Sequence, residues 1–406
     1  MSHPVVIVGA GAAGLMAAIF AAREGARVTL VERTRTGGKK IVVAGGGRCN
    51  VLPSEVNPAQ FVTHSSPNLL RRMLLSWPLD EQIRFFEDDL GIPLALEAET
   101  GKLFPASNRA TDVRDALTRA CRQLDVDMRF KTTVTDLERV PSGWCVETDH
   151  GTLEAISVVI ATGGLSVPKT GSDGFGLAVA ERLGHQLEDT YPALTPLLAD
   201  AAPHAELSGV SLNAAVEAPL KKGRFQTEGG FLFTHRGYSG PAVLNVSHLT
   251  TLARRAGESQ PIRVRWTALD ASAWDAELRQ TGSGTVASLL RSHLPTRLAD
   301  ALMAEAEVPQ DRTRAELRRD ERKRLIRVLT AFELPWTGDE GYKKAEVTGG
   351  GVGLAEVHPH TLESRRQPGL YFCGEVLDAF GPIGGYNFMW AWSTGRAAGI
   401  ASATSG

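Results

Sequence analysis

The side chains most capable of chemistry in this sequence stand beside glycines. Arg48 and Asn50 close the run Gly45-Gly46-Gly47-Arg48-Cys49-Asn50, and Tyr386 and Asn387 follow Gly384-Gly385. A guanidinium, two amides and a phenol can orient a carbonyl, hold an anion or pass a proton, so these four are the candidate groups of a substrate shell. Each also has an ordinary structural use, and spacing selects none of them as the catalyst. Thr162 and Glu375 end two further glycine-bearing segments and read as closer to a cofactor. His235, in Thr234-His235-Arg236-Gly237, has an imidazole that exchanges a proton near neutral pH, but its turn setting reads as loop capping. His358 and His360 flank Pro359 and read as surface or core residues. Cys49, Cys121, Cys145 and Cys373 lie far apart with no C-x-x-C pair, so neither a zinc site nor a dithiol centre is expected, and no metal.

The elements that must position these groups begin almost at the first residue. Val5-Val6-Ile7-Val8 reads as a buried strand and runs into Gly9-Ala10-Gly11-Ala12-Ala13-Gly14, with a helical stretch from Leu15 to Arg23. This is G-x-G-x-x-G in the setting that gives it meaning. The first glycine makes the tight turn, the second lets the backbone approach a pyrophosphate, and the third lets the helix pack on the strand. The helix N-terminus offers unpaired N–H groups and a positive dipole end. A second strand, Arg27 to Val31, leads to Glu32, at the distance where an acidic residue takes ribose hydroxyls. A 2′-phosphate beside that carboxylate would meet repulsion on the order of 4 kcal/mol at an effective dielectric of about 20 unless Arg33 compensates.

The fingerprint alone does not separate NAD from FAD; the remaining glycine-rich segments do so together. Gly45 to Asn50 is a loop whose backbone can lie against a flat ring. Val158-Val159-Ile160-Ala161-Thr162-Gly163-Gly164 is another buried strand ending in glycines, and Gly369 to Glu375 is a third, through Gly374. Gly384-Gly385-Tyr386-Asn387 then opens a helix through Ala398, whose N-terminus could stabilise negative charge on a reduced flavin. The expected cofactor is FAD. The set expected to touch it is Gly9, Gly11, Ala12, Ala13, Gly14, Glu32, Arg33, Lys39, Gly45, Gly46, Gly47, Arg48, Cys49, Asn50, Val134, Ala161, Thr162, Gly163, Gly164, Gly374, Glu375, Asp378, Gly384, Gly385, Tyr386 and Asn387.

Gly45 to Asn50, Gly230 to Pro241, Thr348-Gly349-Gly350-Gly351-Val352 and Gly374-Glu375-Val376-Leu377-Asp378 with Gly384 to Asn387 give the chain a family likeness. It resembles the BaiN/YhiN-like flavoproteins and is similar to aminoacetone-oxidase-like enzymes, from the first strand to the last helix. The resemblance implies one non-covalent FAD on a Rossmann-type domain of the two-dinucleotide-binding superfamily, interrupted by an inserted β-barrel and a helical subdomain. Phe104-Pro105-Ala106-Ser107 fits that family's F-P-x-S run but is followed by unusual residues, and Gly349-Gly350-Gly351 carries one glycine more than the bare motif. Both departures bear on the substrate.

Composition is consistent with this α/β class. With 406 residues the chain is too long for one ordinary core, and 43% hydrophobic against 22% charged residues leaves no case for disorder. The formal charge of −2 supplies no global field for nucleic acid or an anionic membrane, so neither partner is expected. No apolar stretch is long enough to span a bilayer, and a cytoplasmic location is expected. The FAD domain is read as 1–190 plus 345–406, the barrel as 191–270 plus about 333–344, and the helical subdomain as 271–332. Tyr191-Pro192-Ala193-Leu194-Thr195-Pro196 is expected to end a helix and begin a strand. Arg312 to Arg327 reads as a helix with eight basic against three acidic residues, its charges forming a solvated face with i,i+4 pairs at Glu316 and Asp320.

The function read from this is an FAD-dependent oxidoreductase acting on a small substrate where the FAD domain meets the insertion. A second G-x-G-x-x-G segment is absent, so electrons come from the substrate, from transient NAD(P)H or from another protein. Oxidation of an amine or alcohol by oxygen and reduction of an activated C=C bond both stay open. A third reading, of another class, is a flavin-sensing protein that binds a partner or RNA through the basic helix. The oligomeric state is not legible.

Overall fold

Pro4–Val8 becomes the middle strand of a five-stranded parallel sheet because Val5, Val6, Ile7 and Val8 are β-branched and buried, as a strand covered on both faces requires. The computed structural model describes residues 3–280 and 284–404. Across this sheet the order is Leu370–Phe372, Ser157–Ile160, Pro4–Val8, Arg27–Glu32 and Asp127–Phe130. Val5 pairs with Ser157 on one side and Val28 on the other. A strand made near the C-terminus therefore forms one edge of the sheet, two places from the first strand at its centre, which brings both ends of the chain into one sheet.

The opening helix Ala12–Arg23 and the closing helix Tyr386–Thr404 pack on each other with unusually close backbones. A Cβ on Gly395 would lie 2.5 Å from the carbonyl oxygen of Ala13, and one on Gly399 2.4 Å from that of Ala17. Glycines one turn apart on the later helix thus fix its position along the earlier one. Both helices are buried along most of their length, so neither needs the one-sided polar pattern of a surface helix. Among the described residues no helix is long and apolar enough to cross a membrane.

The chain divides into two compact units, Met1–Pro192 with Glu346–Gly406, and Ala193–Ala345. The first also carries an antiparallel meander, Val134–Val140, Gly143–Thr148 and Gly151–Ala155, and a small sheet of Leu52–Pro53, Lys102–Pro105 and Leu94–Glu97. The two-proline segment departs from expectation. Leu187–Ala193 is a strand paired with Val347–Val352, and the chain turns at Leu194, with φ +55°, before a second short strand at Leu197–Leu198. Tyr191 and Pro192 lie inside extended backbone, which proline tolerates at a sheet margin.

The second unit is built on a seven-stranded antiparallel sheet in the order Phe332–Glu333, Arg263–Arg265, Ser211–Pro219, Arg224–Thr234, Gly237–Ser239, Leu197–Leu198 and Gly338–Asp339. These are the short strands anticipated as a barrel. Phe231, Phe233, Tyr238 and Trp266 from the sheet share one hydrophobic cluster with Leu290, Leu298, Leu302, Leu325 and Leu329 from the helical segment. The basic helix is shorter than its charge pattern suggested and runs Arg319–Thr330. Residues before it are drawn away by the bridge Thr285–Thr313 and by the Val286 N–H donating to the Arg312 carbonyl. Glu316 accordingly accepts from the Thr313 hydroxyl instead of pairing four residues on, whereas Asp320 does pair with Arg324.

Candidate functional site

The three fingerprint glycines separate by what surrounds them. Gly9 has φ +102°, and a Cβ there would lie 2.6 Å from the Ala161 carbonyl oxygen; a Cβ on Gly14 would lie 1.8 Å from that of Gly9. The protein's own packing demands both. Gly11 has an ordinary φ of −78° and nothing within 4 Å of where its Cβ would be. The opening helix starts immediately after it with no side-chain cap and no acidic residue in its first turn, so its N-terminus faces that open space with donors to spare.

Glu32 is held against this loop by the N–H groups of Ala10 and Thr34, which donate to its two carboxylate oxygens at 2.9 and 2.8 Å. Gly38, just before Lys39, donates to the Ala10 carbonyl at 2.8 Å. Phe130 pairs with Glu32 across the sheet, and the N–H groups of Lys131 and Thr132 donate to the carbonyls of Thr34 and Glu32, which carries the chain past Glu32 into Val134. Arg33 is turned elsewhere, its guanidinium paired with Asp173.

The middle and closing segments meet the opening one. The tight turn Ala44–Gly47 places Gly45 against Asn50 and Phe104 and leaves Gly46 and Gly47 facing open space, all three glycines with positive φ. With its amide turned so that donor meets acceptor, Asn50 donates to the Leu52 carbonyl at 3.2 Å and accepts from the Gly385 N–H at 3.1 Å. Trp392 donates to the Val51 carbonyl, and Trp390 to that of Gly374. Gly374 in turn donates to the Thr394 hydroxyl, with room for no Cβ because Ala13 Cβ would lie 2.8 Å away. Gly9 to Gly14, Asn50 to Leu52, Gly374 and Gly385 thus line one neighbourhood, beside Ala161, Thr162, Gly163 and Gly164 at the tip of Ser157–Ile160.

Sequence patterning missed a polar network at its edge. One oxygen of the Glu375 carboxylate accepts from the Ser166 hydroxyl (2.5 Å), the Thr348 N–H (3.0 Å) and the Thr348 hydroxyl (2.9 Å). The other accepts from Lys40 Nζ at 2.5 Å, and the same ammonium donates to the Ser166 hydroxyl at 2.6 Å. Gly164 gives the network its place, since a Cβ there would fall 2.4 Å from Thr348 Oγ1. Lys40, Ser166 and Thr348 come from three distant segments with no shared motif; the one local signal was the Thr348-Gly349 junction.

Several expected site groups are engaged in structural contacts. Arg48 pairs with Glu97 at 3.0 Å and lies over the Phe104 ring, 4.0 Å from its centroid. The Asn387 amide makes two 2.9 Å bonds to the backbone of Gly381, holding the turn before the closing helix. The buried Asp378 carboxylate accepts from the Thr63 hydroxyl, the N–H groups of His64 and Ser65 and the Ser65 hydroxyl, and His64 Nδ1 lies 3.4 Å away. It secures the 63–65 turn, which leaves little of it for a cofactor. Cys49 is fully buried with its thiol pushed up to about 12 by burial, which makes it a poor nucleophile or redox group. Tyr386 is half-buried, edge-on to Phe61 at 6.0 Å, and its phenol is raised above the usual range first by burial and then by the charge of Glu55. His235 is exposed at the end of Arg224–Thr234. Among the described residues no group of three or more His, Cys, Asp or Glu side chains is placed to hold a metal.

Comparison with known proteins places the chain in a family. A profile described as the HI0933-like protein Rossmann domain matches residues 3–401. The chain is 34% identical over 96% of its length, and 95% of the relative's, to the ribosomal RNA dihydrouridine synthase of Escherichia coli. It is 33% identical over 98% of its length, and 98% of the relative's, to the 3-dehydro-bile acid delta(4,6)-reductase of Clostridium scindens. Among solved structures, the 3-ketosteroid-delta4-(5alpha)-dehydrogenase of Rhodococcus jostii superposes with a TM-score of 0.52 over 99% of this chain and 97% of its own, at 16% identity, which speaks to the fold.

Proposed function

Because the chain belongs to the HI0933-like Rossmann-domain family, a family of FAD-dependent oxidoreductases, we propose that it reduces a carbon–carbon double bond conjugated to a carbonyl, in a uracil ring of RNA. Gly11 and the N-terminus of the opening helix would hold the pyrophosphate of a non-covalent FAD, and Glu32 its adenosine ribose. The open space before Gly11, which no protein neighbour explains, is the observation that carries the cofactor placement. When bound, the reduced flavin supplies a hydride to one alkene carbon, with a transiently bound pyridine nucleotide as the source of its electrons. The chain's own residues do the rest. The closing helix N-terminus, with no acidic residue in its first turn, favours negative charge on the flavin's pyrimidine side. Lys40, anchored by Glu375, sets an oriented ion pair at the cradle edge. Tyr386, a half-buried phenol that carries its proton at neutral pH, would deliver that proton to the second alkene carbon.

Reduction is favoured over oxidation by the two full-length relatives. One is named a reductase, and dihydrouridine is uridine with one ring double bond saturated. RNA is favoured by the basic stretch between Arg312 and Arg327, in which Arg319, Lys323 and Arg327 are exposed and, among the described residues, outside its ion pairs. A steroid-like enone is the second reading, on the strength of the bile-acid relative. The experiment is anaerobic: reduce the flavin chemically, add single-stranded uridine-rich RNA, and follow flavin reoxidation together with the RNA's mass. Reoxidation with RNA heavier by two hydrogens per event is expected. A flavin that stays reduced with RNA yet reoxidises with a steroid enone moves the assignment to the second reading, and one that responds only to oxygen ends both.

A further inference from the structure

The basic helix Arg319–Thr330 sorts its charges in an unusual way. Arg322 is tied to Asp275, Arg324 to Asp320, and Glu321 to Arg312. What remains is Arg319, Lys323 and Arg327, all exposed and, among the described residues, without an ion-pair partner. They recur every four residues, so they stack about 6 Å apart along the axis in one stripe. That stripe lies on the side of the helix away from the buried Leu325 and Leu329. Like charges at i,i+4 repel each other and weaken a helix. Here two such pairs are placed in series while the helix's carboxylates are spent elsewhere. A solvated face with balanced pairing would have put Asp or Glu into that row.

We propose that the stripe Arg319, Lys323 and Arg327 is a docking site for the phosphate backbone of single-stranded RNA. Successive phosphates supply a row of negative charge that relieves the repulsion, and long flexible Arg and Lys side chains match a variable backbone without reading bases. The inference rests on the RNA reading above and adds a surface that holds the nucleic acid. The shared row of cations also predicts no base preference, so selection of one uridine lies elsewhere.

The test uses the FAD-loaded protein and its Arg319→Gln/Lys323→Gln/Arg327→Gln variant, with fluorescently labelled oligouridine across a salt series. Each single-strand phosphate contact adds about 0.7 to the slope of log affinity against log salt, so the variant's slope is expected to be shallower by about 2, with flavin content unchanged and a melting temperature no lower than that of the unmodified protein. Equal affinity and slope in the two proteins would overturn the docking site while leaving the RNA reading intact. Absence of RNA binding by the unmodified protein at low salt would overturn the RNA reading and this site with it. Stripe-dependent binding of anionic vesicles or polyglutamate in place of RNA would likewise reject RNA as the occupant.

Discussion

Gly11 and Gly14 stand three residues apart in one motif, yet the structure assigns their missing side chains to different causes, and alanine at each should separate them. At Gly14 the new Cβ would lie 1.8 Å from the Gly9 carbonyl oxygen, backbone that cannot give way without moving the strand. Overpacking of that kind costs about 1–3 kcal/mol and more where backbone is involved, so Gly14→Ala should lose on the order of 3 kcal/mol or more of folding stability. At Gly11 the Cβ meets nothing and φ is already −78°, so the apo-protein should change by no more than about 1 kcal/mol. The loss there falls on the ligand. Displacing a pyrophosphate from one or two charge-assisted bonds, each about 1.5–3 kcal/mol, gives about 1.5–6 kcal/mol, or roughly 10- to 20,000-fold weaker FAD binding at about 1.4 kcal/mol per decade. The measurements are urea unfolding of the flavin-free proteins and titration of each with FAD by flavin fluorescence quenching. Gly11→Ala binding FAD as tightly as the unmodified chain, or unfolding as readily as Gly14→Ala, would refute the reasoning.

Three further outcomes follow from the site. Tyr386→Phe should keep its flavin but turn over about 10²- to 10⁴-fold more slowly, the range for a lost general acid. Because burial and Glu55 raise this phenol's pKa, its proton is held below that pKa and activity should persist through mildly alkaline pH, falling only as pH rises past it; Glu55→Gln should bring that fall to lower pH. Asp378→Asn places an amide among donors that now share a carboxylate, and should cost about 2–4 kcal/mol in urea unfolding with little change in FAD affinity. The Glu356 carboxyl is held below its ordinary value, first by its hydrogen bond to Arg366, so it stabilises the fold above its unfolded pKa and loses that contribution as pH falls through the folded one. Glu356→Gln should lower the neutral plateau of a stability–pH profile and leave the strongly acid end little changed, so that the acid limb flattens.

Much of the cradle was legible because it is local. A buried strand, a tight glycine turn, an uncapped helix start and an acidic residue at the next strand's tip all fall within residues 5–32, where chain connectivity dictates proximity. The close approach of the two ends was also inferable from glycine-rich runs at 45–50, 158–164, 369–375 and 384–387. What sequence could not supply was the assignment of individual polar groups. Arg48, Asn387 and Asp378 carry the right chemistry beside the right glycines, but Glu97, Gly381 and the 63–65 turn had prior claim on them. The Lys40–Glu375 pair joins residues 335 apart in sequence, and no periodicity or spacing encodes a contact of that separation. The same limit moved the start of the basic helix to Arg319, since the Thr285–Thr313 bridge draws the preceding residues off. Backbone conformation is set by neighbours within a few residues and can be read along the chain. Which carboxylate an arginine meets is decided by competition among all groups the packed core brings within reach, and only the tertiary structure holds that result.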